Sequence, residues 1–388
     1  MAERHGGKNG PGRPTGGTPS EKQQQTPITM YMLGEQARPN MPQNVLFPEK
    51  RHPLLSTHVL MMRNTVPGRD SRQDVASVME TTAVLADGHG PNGKSIATRI
   101  AREFPTALNI NLLRPVNLST GQRIYQAVRD IAETLGESET ADSGAAVAAA
   151  RITNGNLLSV VPSDAEVIVI RSGLPISLPP PKLLSDTQVQ ADLARRAEYL
   201  EGPDAITRRG GVFIIERGEV RVRTTDGTGS YGLAHSFGDT GSVPITALNI
   251  PIRENQEYAE IPLIPDDLVV LASDGIRRFP VAVDLLTVLL TNRDHLGDML
   301  SAVRKDPQTT ILERIRHGLV GLEYANVDAS EIIRRLKDIL SNTLNTEWPK
   351  NSNIDKALFL LKEYIAGQSD VIPDDITVMV LKPTVKAT

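Results

Sequence analysis

The chain has 388 residues, a formal net charge of −4, 39% hydrophobic residues and no cysteine. That length holds one large domain or two ordinary ones, and either buries a substantial core. The absence of cysteine excludes disulfides, a thiolate nucleophile and thiolate metal ligands. The mild acidity gives no case for nucleic-acid binding. No run approaches the roughly 18 apolar residues needed to cross a membrane. The start of the chain has no apolar signal region, and Ala2 after Met1 leaves no myristoylation site. A soluble intracellular protein, cytoplasmic and without membrane or nucleic-acid partners, is the expectation.

Residues 1–53 are rich in Gly, Pro, Gln and Asn and lack apolar periodicity, so they read as a disordered N-terminal tail. Within it, Ile28–Leu33 is apolar enough to pack on the body. From residue 54 to 385 the chain reads as one folded domain. Thr81–Ala86 is a short apolar strand ending at Asp87. The segment after it places Ile96, Ile100 and Phe104 on one helical face, and Ile124, Val128, Ile131 and Leu135 repeat that spacing. Asn156–Val161 and Glu166–Ile170 are two strand-like runs separated by the turn-like Pro162–Ala165. A second hairpin is predicted around Glu216-Arg217-Gly218-Glu219. Asp266–Gly275 is a buried strand ending at Asp274. Residues 281–366 are mostly helical, with a capping box expected from Asp328 to Glu331. Further on, Asn353 is a cap for a stripe of Ala357, Leu358, Leu361 and Ile365. Asp374–Leu381 is a last strand with carboxylates at its start.

The stretch VLADGHGPNGKSIA, residues 84–97, has two readings. Gly88, Gly93, Lys94 and Ser95 fit G-x-x-x-x-G-K-S, a loop that cradles phosphate with backbone N–H groups ahead of a helix. Such a loop belongs with strand–helix alternation around a parallel sheet, whereas the middle of this chain reads as paired short strands. The other reading is Asp-Gly-His-Gly at a strand end. It uses more of the chain: Asp87 ends one strand, Asp274 ends another and Asp374 begins a third. Carboxylates gathered at strand ends suit hard divalent cations, which take oxygen ligands and keep several waters. Two such ions can hold a hydroxide and clamp a phosphoryl group.

These segments resemble the motifs of the metal-dependent protein phosphatases, the type 2C serine/threonine family (PPM). VLADGHGPNGKSIA is similar to its D-G-H-G motif with a P-x-G extension, and GRDSRQDVA (68–76) to its G-x-R plus acidic pair. LASDGI (271–276), DDITVMVL (374–381), RRGGVF and GLAHSFGD (232–239) are similar to further motifs in family order. The set spans residues 68–381. The resemblance implies an α+β fold, a four-layer α-β-β-α sandwich of two antiparallel sheets flanked by helices.

It also implies roles. Asp87 would bridge two Mg²⁺ or Mn²⁺ ions, with Asp274 and Asp374 completing the first ion's protein ligands and the Gly88 carbonyl touching the second. Asp74 keeps one half of the family's acidic pair, and Asp164 falls where a third ion is reached. A hydroxide between the ions would attack phosphorus, His89 would protonate the leaving serine or threonine oxygen, and Arg69 would grip two phosphate oxygens. The substrates implied are phosphorylated proteins, and the acting form a monomer.

The chain departs from the pattern at four places. The acidic pair is Gln73-Asp74, which removes a charge and weakens the second ion. The G-D-S-R turn is Ser163-Asp164-Ala165-Glu166. The aromatic-acid pair after D-G-[LIV] is Arg277-Arg278, which puts positive charge near the site for a phosphorylated substrate. GLAHSFGD is two residues short. Three functions follow: an active phosphatase, a pseudophosphatase serving as a scaffold on the same fold, and a P-loop nucleotidase.

Overall fold

The computed structural model describes residues 27–33, 44–52, 55–66, 72–113, 117–135, 143–163, 165–179, 257–279, 282–296, 352–368 and 371–384, with 212–216, 219–223, 230–231, 237–238 and position 334. Two antiparallel sheets dominate. In one, β1 (Thr29–Met32), β4 (Val75–Met79), β5 (Thr82–His89), β6 (Gly144–Thr153), β7 (Asn156–Val160) and β14 (Tyr258–Pro262) follow in that order, and β13 (Phe237–Gly238) also pairs with β6. In the other the order is β2 (Asn44–Arg51), β3 (Leu55–Met62), β16 (Ile376–Pro383), β15 (Leu268–Ala272), β8 (Glu166–Arg171) and β9 (Leu174–Ser177). A small third sheet holds β10 (Val212–Glu216), β11 (Glu219–Arg223) and β12 (Ser230–Tyr231).

Successive strand side chains point to opposite faces, and the burial pattern follows that rule. On β5, Ala83 and Leu85 face the other sheet, while Val84 and Ala86 pack under helices. On β15, Val269 and Leu271 face inward between the sheets, with Leu268, Val270 and Ala272 under helices on the far side. The outer layers are α1 (Gly93–Leu113) and α2 (Thr120–Ala132) on the first sheet, and α3 (Ala282–Thr291) and α4 (Asn353–Gln368) on the second. The four-layer sandwich implied by the resemblance is therefore the observed architecture.

Local chemistry explains several elements. Ile96, Ile100 and Phe104 are fully buried on α1 as the periodicity predicts. The helix continues through Pro105, which has no N–H to give the carbonyl four residues back. That carbonyl, on Ala101, instead accepts from the Ser77 hydroxyl of β4 at 2.5 Å. α4 is capped one residue before the expected Asn353: the Ser352 hydroxyl accepts from the Asp355 N–H at 3.1 Å, and the Asp355 carboxylate accepts from the Ser352 N–H at 3.3 Å. The same carboxylate reaches His58 Nδ1 of β3 at 2.8 Å, both side chains being buried, which ties the helix start to the sheet.

Two expectations change. β1 and β2 lie inside the segment 1–53 assigned to a tail, so the sheets begin before residue 54. The apolar alternation in these strands is short, and pairing with β4 and β3 supplies what it lacks. β7 and β8 are not a hairpin: β7 pairs with β6 and β14, and β8 with β15 and β9. The turn between them crosses from one sheet to the other. The predicted hairpin at 216–219 does form, with Glu216 opposite Glu219. The capping box at Asp328 and Glu331 lies outside the described residues.

Candidate metal centre

The strand registers bring the acidic motifs to one end of the sandwich. Val75 pairs with Ala86, so one step further the antiparallel register sets Asp74 opposite Asp87. Ala272 pairs with Val378. Just beyond, Ser273 donates its N–H to the Thr377 carbonyl at 3.0 Å, and its hydroxyl accepts from the Thr377 N–H at 2.9 Å. By the two-residue period Asp74, Asp87, Ser273 and Thr377 all continue the rows that face between the sheets. The apolar layer thus ends in a polar one. Asp274 opens the 3₁₀ turn Asp274–Arg278, and Asp374 precedes β16; Asp87, His89, Asp274 and Asp374 are all half-buried.

Asp74 is the most deeply placed acid, 4% exposed, and neither of its carboxylate oxygens has a hydrogen-bond partner among the described residues. Burial first and the charge of Asp375 second push its pKa up to about 8; the nearby Thr377, Asp87 and Ser273 offset only part of this. The carboxyl is therefore neutral in the fold where it would be charged in the unfolded chain. That stability is fully present below the ordinary aspartate pKa and is lost as pH rises through about 8. In chelator-treated protein the melting temperature of wild type relative to Asp74→Asn is expected to fall between pH 5 and pH 9. A flat difference across that range would contradict the assignment.

Asp375, beside Asp374, was not singled out by the motif. Its carboxylate accepts from the Asn64 N–H at 2.7 Å and the Gln73 N–H at 2.8 Å. It thereby ties together the two ends of the segment that carries Arg69. The signal was present as the second acid of DDITV. Arg69 and Asp164 themselves lie outside the described residues.

Gly88 pairs with Ala145 on β6. A Cβ there would lie 2.5 Å from the Gly93 carbonyl oxygen and 3.0 Å from that of Gln73, so the chain needs glycine for backbone packing as well as for any ligand. Phe237 and Gly238, from the GLAHSFGD segment, pair with Ala145 and Gly144 of β6, and Gly144 in turn pairs with His89. Phe237 and Gly238 therefore lie one strand from the Asp-Gly-His-Gly end.

The two arginines after D-G-I are engaged. Arg277 is hydrogen-bonded and ion-paired to Glu166, which is buried. Charges have been exchanged: the family's Arg in G-D-S-R is Glu166 here, and Arg277 supplies the cation. Arg277 is thus not an open docking charge. Arg278 lies 3.9 Å from Asp274.

The P-loop reading does not survive. Gly88 sits within β5, both large sheets are antiparallel, and Lys94 Nζ is 3.4 Å from the Leu33 carbonyl. Lys94→Ala is expected to leave phosphate release close to wild type, since Lys94 reaches a backbone carbonyl of its own chain. ATP binding by wild type that is lost in Lys94→Ala would restore a nucleotide role.

The residue types suit a hard divalent cation in chemistry and charge: Asp87 lies opposite Asp74 in the register, Asp274 opens the turn after β15 and Asp374 precedes β16. As they lie, no three Asp, Glu or His side chains among the described residues stand close enough to hold one ion. The corner at Gln73 offers a neutral amide and does not fit a second.

No protein-family model matches the sequence, and no curated protein matches it. Solved structures do. The serine-threonine phosphatase 2C from Toxoplasma gondii superposes with a TM-score of 0.50 at 11% identity, covering 89% of this chain and 100% of that one. A Caenorhabditis elegans sex determining protein gives a TM-score of 0.45 at 16% identity over 92% of this chain and 64% of its own. The Mycobacterium tuberculosis serine/threonine phosphatase PstP/Ppp gives 0.42 at 12% identity over 85% and 98%. With two antiparallel sheets face to face and helices outside both, the chain has the fold of the type 2C serine/threonine phosphatases.

Proposed function

We propose that the chain is a metal-dependent phosphatase acting on phosphoserine and phosphothreonine in proteins. The observation that carries this reading is the register that sets Asp74 opposite Asp87 and brings Ser273, Thr377 and Asp375 to the same buried end, with Asp274 just after β15 and Asp374 just before β16. A neutral structural core has no use for so many acids, and their mutual repulsion favours a cation. The likeness in fold to a type 2C phosphatase supports the same class.

Asp87, Asp274 and Asp374 are the residues that would hold Mg²⁺ or Mn²⁺. When bound, such an ion supplies an activated hydroxide and polarises phosphoryl oxygens. His89, two residues beyond Asp87 on the same strand and the same face, would give a proton to the leaving serine or threonine oxygen. Arg69, which lies between Asn64 and Gln73 in the chain and outside the described residues, would bind two phosphate oxygens. The acting unit is the sandwich domain as a cytoplasmic monomer, with substrate choice set by the loops around it.

A second reading is a scaffold on the same fold. Gln73 in place of a carboxylate and the exchanged Glu166–Arg277 pair favour it. Hydrolysis of a phosphothreonine peptide across Mn²⁺ and Mg²⁺ titrations, with a chelator control, separates the two. Chelator-sensitive phosphate release is the expected result. Peptide retention without release at any metal concentration would overturn the enzyme in favour of the scaffold.

A further inference from the structure

We infer that Gln73 makes this a one-ion site: its amide fills the corner where the resembled family presents a carboxylate to a second ion, and braces the 88–93 turn in that ion's place. This rests on the metal reading above.

Gln73 is 8% exposed, and its Nε2 donates to the Gly90 carbonyl at 2.9 Å. A carbonyl only accepts, so the amide must face it with its nitrogen. The Gly93 N–H donates to the same carbonyl at 3.1 Å, which occupies both lone pairs of Gly90 and closes the turn. The other end of the amide lies against Gly93: a Cβ built there would be 2.9 Å from Gln73 Oε1. Gly88 is pressed against the same two residues, with a built Cβ 2.5 Å from the Gly93 carbonyl oxygen and 3.0 Å from that of Gln73. The backbone of Gln73 is pinned as well, its N–H donating to Asp375 Oδ2 at 2.8 Å. The side chain is thus held on both sides. It presents a donor where a second cation needs an anion, and it carries no charge.

A glutamate in this position cannot make the bond. At neutral pH it has no proton to give, and its oxygens would face the Gly90 carbonyl oxygen. A cation between them is the way to relieve that repulsion. Gln73→Glu is therefore expected to create the second position that the wild type lacks. Gln73 is a positioning residue here, acting on the turn that follows Asp87 and His89.

The test is a Mn²⁺ count on the full chain by calorimetry, together with the electron paramagnetic resonance spectrum of the bound metal. Wild type is expected to bind one ion in the site with an isolated six-line spectrum, and Asp274→Asn to lose it. Gln73→Glu is expected to bind two, with the spectrum of a coupled pair. Two coupled ions in wild type would overturn the inference and leave the metal reading standing. One ion in both wild type and Gln73→Glu would also overturn it. No site-bound ion in wild type would overturn the metal reading and the inference with it. The wild-type count needs no variant, so a Gln73→Glu chain that failed to fold would not blunt the test.

Discussion

Under the proposed function, phosphate release from a phosphothreonine peptide is expected to fall by at least about a thousandfold in Asp87→Asn, because several kcal/mol of charge stabilisation from a bound divalent ion would be lost. The substitution keeps the size and shape of the side chain and removes only its charge. Asp87 sits at the centre of the acidic end, opposite Asp74 and two residues before His89. Without its carboxylate, the proposed ion would lose its ligand from β5. The fold should tolerate the change, since Asp87 is half-buried and its neighbours Ala86 and Gly88 keep their pairing with β6. Activity is compared with an unchanged far-ultraviolet circular dichroism spectrum as control. Retention of more than a tenth of the wild-type rate would remove Asp87 from the site.

Gly275→Ala is expected to cost about 3 kcal/mol or more of stability and to abolish activity together. A Cβ on residue 275 would lie 2.0 Å from the Asp375 carbonyl oxygen and 3.1 Å from Ile376 Cγ1. Both belong to the start of β16, which is paired on both sides, with β15 and β3. That backbone has nowhere to move. The substitution therefore separates the 3₁₀ turn carrying Asp274 from the strand start carrying Asp374 and Asp375. A denaturant midpoint read with the phosphatase assay checks this. A variant within about 0.5 kcal/mol of wild type, the usual range for a surface change, would show that the turn and β16 do not pack as described.

Much of the helix layer was legible in the chain because its spacing is local. Ile96, Ile100 and Phe104 on α1, and Leu358, Leu361 and Ile365 on α4, are buried as their periodicity demands. The alanine-rich β6, Gly144–Thr153, carries no such signal. It is a strand because β5 pairs along one edge and β7 and β13 along the other, and its small side chains let helix and sheet approach closely on both faces.

The sequence by itself determined the strand-end acids Asp87, Asp274 and Asp374, the glycine after Asp87 and the histidine two residues beyond it, since each is a residue type at a short, fixed spacing. It did not determine what those groups touch. That Asp74 is buried without a hydrogen-bond partner among the described residues, that Asp375 fastens Asn64 to Gln73, that Arg277 belongs to Glu166, and that Gln73 braces Gly90 were decided only by the tertiary structure. Gln73 and Asp375 stand 302 positions apart, and Arg277 and Glu166 111 apart. Contacts at such separations follow from sheet register and layer packing, which no local pattern of residues encodes.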